Sequence, residues 1–158
     1  MSRHARAWIG GGSALLLLII DQASKVWATA SLPPGRELTV VPGLLWFRLL
    51  TNTGATFSLL RGYNLLFGIA TVLVLFAVGV ILLRGYAASL PSVIGLGAVA
   101  GGAMGNLVDR VRLGGVVDFI LVPIWPADFN LADLGVRLGV ALFLTGLLLD
   151  RRRSRRRR

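Results

Sequence analysis

Four apolar runs, each about as long as a lipid bilayer is thick, constrain this chain more than anything else in it. They cover Trp8–Leu32, Tyr63–Leu83, Ala87–Val108 and Leu131–Leu149, to within a few residues. A helix needs roughly 20 mainly apolar residues to cross the hydrocarbon core. In lipid the backbone must satisfy its own hydrogen bonds, so helices are the expected form. The runs use up most of a 158-residue chain, which leaves no room for a separate soluble domain. The expected organisation is a single membrane domain over residues 1–150 and a basic tail over 151–158. The first run imitates a signal peptide, with Arg3 and Arg6 ahead of a leucine-rich stretch. Its apolar character resumes past Asp21 and Lys25, however, and three further runs follow, so an uncleaved helix is the better reading.

The net charge of +10 raises nucleic-acid binding, but its distribution argues against it. Seven arginines crowd into Arg151–Arg158, directly after an apolar run. A cluster in that position reads as an anchor for anionic head groups on the cytoplasmic side, a solvated tail with no further role being the plainer alternative. Arg3 and Arg6 precede the first run and Arg84 separates the second from the third. With four spans, all these groups fall on one side, which places both termini in the cytoplasm. The other two connections face outward, although Arg36, Arg48, Arg61 and Arg112 dilute the contrast. The chain has no Cys and a single His4. A thiol nucleophile, a disulfide framework, a zinc site and a Ser–His pair deep in the fold are therefore not expected.

The outward connections carry strand signals. Glu37–Leu50 is β-branched and aromatic with Pro42-Gly43 in its middle, which predicts two short strands around a turn. Gly115–Ile120 predicts a third short strand. Trp27, Trp46 and Trp125 suit the membrane–water interface. The third run is rich in Gly and Ala, and Gly101 and Gly105 form a G-x-x-x-G, a spacing that lets helix backbones approach closely.

Set into this apolar background are aspartates that a bilayer should hardly tolerate. A carboxylate near the bilayer centre costs about 2.5–3.5 kcal/mol on insertion scales. Asp21 and Lys25 are four residues apart on one helical face and can pair. Asp109 and Arg110 are a candidate interfacial salt bridge. Asp118 and Asp133 flank one short segment that can fold them face to face. For Asp133 the plainer alternative is a helix-start role, with Asn130 as the cap. Two close carboxylates share a proton; one then serves as base for a water while the other polarises a carbonyl. That chemistry needs no His, Cys, Ser or metal, and hence no cofactor. A small proton or cation carrier would spread ionisable groups through the membrane depth, and a structural subunit would need no carboxylate pair. Here the polar groups gather at the outer ends of the first, third and fourth runs.

The motifs Asp21-Gln22-x-Ser24-Lys25, Asn52-x-Gly54-Ala55-x-Phe57, Gly101-Gly102-x-x-Gly105-Asn106-x-x-Asp109-Arg110, Val117-Asp118-Phe119 and Phe129-Asn130-x-Ala132-Asp133 together resemble the signature of the lipoprotein signal peptidase (signal peptidase II) family, in its order and spacing. The resemblance implies an all-α integral membrane aspartyl endopeptidase of the bacterial inner membrane. Its architecture would be four transmembrane helices with a small extracytoplasmic β-sheet cradle. It further implies a diacylglyceryl-modified prolipoprotein as substrate, cut just before the modified cysteine, with membrane lipids around a monomer. Asp118 and Asp133 match the catalytic dyad. Asn52, Gly54, Asn106, Asp109, Arg110, Asn130 and Ala132 match residues that line or support the site, and Asp21 and Lys25 match a structural pair. Asp128 matches no motif position and is read as a loop acid.

Overall fold

The computed structural model describes residues 1–54, 64–125 and 127–155. Ala55, Phe57, Arg61, the expected second-helix start at Tyr63, and Arg156–Arg158 lie outside the described residues. Among the described residues there are four long helices: α1 (Arg3–Ser31), α2 (Asn64–Arg84), α3 (Leu90–Leu113) and α4 (Leu131–Arg155). All four contain a stretch long and apolar enough to cross a membrane, that of α4 being Leu131–Asp150.

Local chemistry sets the helix ends, which differ from the apolar runs by a few residues. α1 starts earlier than its apolar run because the Ser2 hydroxyl accepts the Ala5 amide at 3.1 Å. It stops ahead of Pro33-Pro34, which cannot continue a helix. α3 starts later than Ala87, at the Ser89 cap, with Pro91 in the first turn. Its polar final turn extends to Leu113, where Gly114 adopts φ 73° and closes the helix through its amide to the Arg110 carbonyl.

α3 is the central helix, packed against α1, α2 and α4, and more than half of its most apolar stretch is buried. Small residues make that possible. A Cβ on Gly95 would sit 2.5 Å from the Gly139 carbonyl oxygen, and one on Gly102 would sit 2.5 Å from that of Ala132. Gly101 lies against the Ala14 backbone of α1. The small-residue stripe is therefore the seam along which three helices meet. The faces of α1 and α2 away from α3 expose Leu16, Ile19, Leu65, Val72 and Phe76, as expected of lipid-facing surface.

Three strands, β1 (Glu37–Val41), β2 (Leu45–Asn52) and β3 (Val116–Leu121), form an antiparallel sheet in the order β1-β2-β3, matching the three expected segments. The sheet docks on the end of α1 through an aromatic triad. Trp27, Phe47 and Phe119 meet edge to face with ring centroids 5.5–6.2 Å apart. Ala28, Leu32, Ile120 and Phe129 complete this core. Beyond β3 the chain turns back, and Phe129 bridges Ile120 by paired backbone hydrogen bonds of 2.9 and 3.0 Å just before α4 begins.

The α3–α4 seam yields a test. Gly95→Val has no space to enter, and overpacking of this kind costs about 1–3 kcal/mol. We expect the thermal unfolding midpoint of the detergent-solubilised protein to fall clearly, whereas Gly11→Val, where a Cβ meets nothing within 4 Å, should change it little.

Candidate active site

The polar residues of α1, α3 and α4 converge on one buried ammonium. Lys25 Nζ lies 2.9 Å from Asp21 Oδ2 and 2.8 Å from Asp109 Oδ2, and it donates to Asn106 Oδ1 at 2.9 Å. Lys25, Asp21 and Asp109 are all nearly inaccessible to solvent. The expected Asp21–Lys25 pair is therefore present. The Asp109–Arg110 salt bridge is not: Asp109 pairs with Lys25 and accepts from Gln22 Nε2 at 3.0 Å. Adjacent helical residues point some 100° apart, so a sequence neighbour is a poor partner. The Arg110 guanidinium instead lies 5.7 Å over the Phe67 ring, and its Nη1 donates to the Asn106 carbonyl at 3.4 Å.

Each partner of Lys25 also reaches toward the segment that carries Asp118 or Asp133. Asp21 Oδ1 accepts the Ala132 amide at 2.8 Å, so a carboxylate of α1 caps α4. Asn130 Oδ1 accepts the Asp133 amide at 2.9 Å, making Asn130 the side-chain cap. Asp133 is thus freed from capping by the residue three positions before it. Ala132 is completely buried, and only a small side chain fits beside Gly102 and Gly105. Asn106 passes the contact on: its Nδ2 donates to Asp133 Oδ1 at 2.8 Å. Asp109 Oδ2 accepts the Val117 amide at 3.1 Å and so fixes the strand that carries Asp118.

Asp118 is 1% exposed. Its Oδ1 accepts from Asn130 Nδ2 at 2.7 Å and its Oδ2 from Asn52 Nδ2 at 2.9 Å. Sheet register explains the second bond. Leu50 pairs with Asp118 and Asn52 with Val116, so Asn52 and Asp118 are diagonal neighbours on one face. Asn52 Oδ1 in turn accepts the amide of the buried Gly54 at 3.0 Å, which turns the chain away from the sheet. Burial pushes the Asp118 carboxyl up to about 7, with the neighbouring Asp133 charge adding to the rise; the two amides and Lys25 oppose it without reversing it.

Asp118 and Asp133 line one cavity of about 210 Å3 together with Asn52, Gly54, Asn106 and Arg110. A larger cleft of about 350 Å3 adjoins it, sharing Phe67, Asn106, Arg110 and Asp133. Its remaining walls are chiefly apolar, from Ala70 and Val74 of α2, Val99 and Ala103 of α3, and Val136 of α4. The arrangement offers a dry, protonatable carboxyl and a second carboxyl at the head of an apolar groove.

Sequence reasoning missed Asp128. It is no free loop acid: its side chain is 1% exposed, and Arg48 grips both oxygens at 2.9 and 3.0 Å. It also lines the smaller cavity. The signal was an acid two residues before a cap; its partner lies 80 positions away and leaves no local trace.

Removing the central cation gives a sharp expectation. Lys25→Met strands two buried carboxylates, and breaking such a pair costs about 3–5 kcal/mol. The unfolding midpoint should drop steeply, and Lys25→Met/Asp109→Asn should recover part of the loss. A single variant as stable as the parent would contradict the hub.

A family model described as signal peptidase (SPase) II matches residues 13–149. A lipoprotein signal peptidase of Syntrophomonas wolfei is 41% identical over 145 residues, 92% of this chain and 96% of that protein. Those of Parasynechococcus marenigrum and Enterococcus faecalis are 38% and 37% identical, covering 91% and 89% of this chain and 91% and 88% of their own lengths. Two solved bacterial membrane enzymes superpose with TM-scores of 0.80 and 0.77 at 32% and 30% identity, covering 87% and 86% of this chain and 86% and 90% of theirs. With its four membrane helices, three-stranded sheet and conjoined Asp118/Asp133 cavity, this chain belongs to the signal peptidase II family.

Proposed function

We propose that this protein is an aspartyl endopeptidase that releases the signal peptide of prolipoproteins on the N-terminal side of a diacylglyceryl-modified cysteine. The observation that carries the chemistry is the pairing of a buried Asp118, held by two amides, with Asp133 in one cavity. The raised Asp118 supports giving it the shared proton. Asp133 is then the base.

Asp133 takes a proton from water as the oxygen attacks the scissile carbonyl carbon. Protonated Asp118 donates to the carbonyl oxygen, giving a neutral tetrahedral diol. The diol collapses as Asp118 recovers its proton and Asp133 delivers its own to the departing amine. One water is consumed, and the dyad returns to its starting state. Asn52 and Asn130 hold the Asp118 oxygens through the cycle, and Asn106 holds one oxygen of Asp133.

The adjoining groove explains how a lipid-bound substrate is met. Its apolar walls suit a signal sequence or an acyl chain, and its polar head at Asp133 and Arg110 suits the peptide to be cut. The orientation that fits the charges has both termini in the cytoplasm, with Arg3, Arg6, Arg84 and the basic tail on that side. The sheet and the cavity then open toward the extracytoplasmic face.

Incubating the purified protein with a diacylglyceryl-modified prolipoprotein should release the signal peptide, read as a gel shift. Asp118→Asn and Asp133→Asn should each lower turnover about 10³-fold or more, within the range for loss of a general acid or base, while the unfolding midpoint shows the protein folded. Near-normal turnover by either variant contradicts the dyad. The pH dependence has a definite sign. Asp118 is the acid while protonated, so kcat should fall as pH rises through about 7. A rate that climbs steadily from pH 6 to 9 would reverse the assignment of acid and base.

A further inference from the structure

The mechanism above leaves one buried, charged group of the cavity unused. Asp128 is clamped by Arg48, whose Nε and Nη2 donate to its two oxygens while Nη1 reaches Glu37 Oε1 at 2.8 Å. This fork ties β2, and through Glu37 the edge strand β1, to the segment that leads into α4. That segment is short and does much. Phe129 bridges Ile120 of β3, Asn130 Nδ2 holds Asp118 Oδ1 and the Val117 carbonyl, and Asn130 Oδ1 caps α4. Asp128 is the residue that fastens this segment to β2, beside the contacts that Phe129 and Asn130 make to β3.

Charge makes the fastening more than mechanical. Asp128 lines the same cavity as Asp118 and Asp133. A third uncompensated carboxylate there would compete for the proton that the dyad shares. The guanidinium fork neutralises it and is itself strengthened, since the Asp128 hydrogen bond and charge raise the Arg48 pKa. The other charges facing Asp118 are Asp133 from α4 and Lys25 from α1, with Arg110 of α3 in the cavity wall. Those facing Asp128 are Arg48 of β2 and, behind it, Glu37 of β1.

We propose that Arg48 and Asp128 are positioning residues for the peptidase reaction: their ion pair fixes the Asn130 amide on Asp118 and keeps the third carboxylate of the cavity out of the dyad's proton sharing. The proposal rests on the dyad reading. Failure of that reading would appear in Asp118→Asn and Asp133→Asn, which are not used here.

The test is the pH–rate profile of folded, purified variants with the lipid-modified precursor. Arg48→Gln leaves Asp128 uncompensated, so kcat should fall about 10-fold or more, and the descending limb should move to higher pH by about 1 unit. Asp128→Asn removes the negative charge, so its limb should stay at or below the parent's. Arg48→Gln/Asp128→Asn should bring the limb back toward the parent while kcat stays low. Arg48→Lys keeps the charge and loses the fork, so its kcat should fall with the limb unmoved. If Arg48→Gln does not fold, Asp128→Asn and Arg48→Lys decide the matter by their kcat values. A bracing role without electrostatic coupling predicts equal limbs in all variants, and that result, or a parent-like kcat in Asp128→Asn or Arg48→Lys, overturns the proposal.

Discussion

A single buried ammonium organises this molecule. Lys25 is held by Asp21 from its own helix and by Asp109 and Asn106 from α3. An isolated ion in such a place costs several kcal/mol even after relaxation, so the cluster persists only because each charge is met. One cation and two carboxylates leave a formal charge of −1. The N-terminus of α4 offsets it: Asp21 accepts the Ala132 amide, at the end of the helix that carries about half a positive charge. Asp109 also accepts the Val117 amide. The helix that brings Asp133 and the strand that brings Asp118 are thus both aligned from one ion cluster. Neither carboxyl of the proposed dyad takes part in it directly.

The division between cluster and dyad explains why the chain tolerates so many acids in an apolar setting. Asp21 and Asp109 are compensated and structural. Asp118 is buried and is held by two neutral amides rather than by a cation in contact. Had Lys25 reached Asp118, the carboxyl would be locked ionised and useless as an acid at neutral pH. The geometry sends the cation to Asp21 and Asp109 and amides to Asp118.

How much of this was legible in the sequence follows from the range of each interaction. Helices and strands are written in local periodicity, and four spans and three strands were legible because apolar length and β-branched runs need no partner to be recognised. Asp21–Lys25 was legible because i, i+4 pairs share a face. The Asn130 cap was legible because caps are local. Asp109–Arg110 was misjudged because proximity in sequence was taken for proximity in space. The contacts that build the site span far greater separations: Asp109 with Gln22 is 87 residues apart, Ala132 with Asp21 is 111, and Arg48 with Asp128 is 80. No period or composition encodes such pairings. The motif pattern carried the identities of the residues, but not which of them touch.

The proposed dyad also spans two structural layers with different sources of stability. Asp133 belongs to the helical bundle, where Gly-lined seams bring backbones to close approach. Asp118 belongs to the sheet, which sits on the bundle through the Trp27–Phe47–Phe119 triad and the Phe129–Ile120 bridge. Aromatic packing of this kind is strong but tolerant of small rotations, unlike backbone-to-backbone helix contact. The relative placement of the two carboxyls therefore rests on directional bonds: Val117 to Asp109 and Asn130 to Asp118 cross between the layers, and Asn106 holds Asp133 within the bundle. Each of these bonds ends on an amide or a carboxylate with a fixed partner behind it. A peptidase working where a bilayer meets water gains from that design. Apolar surface can adjust to lipid and substrate while the distance between the two carboxyls is set by hydrogen bonds.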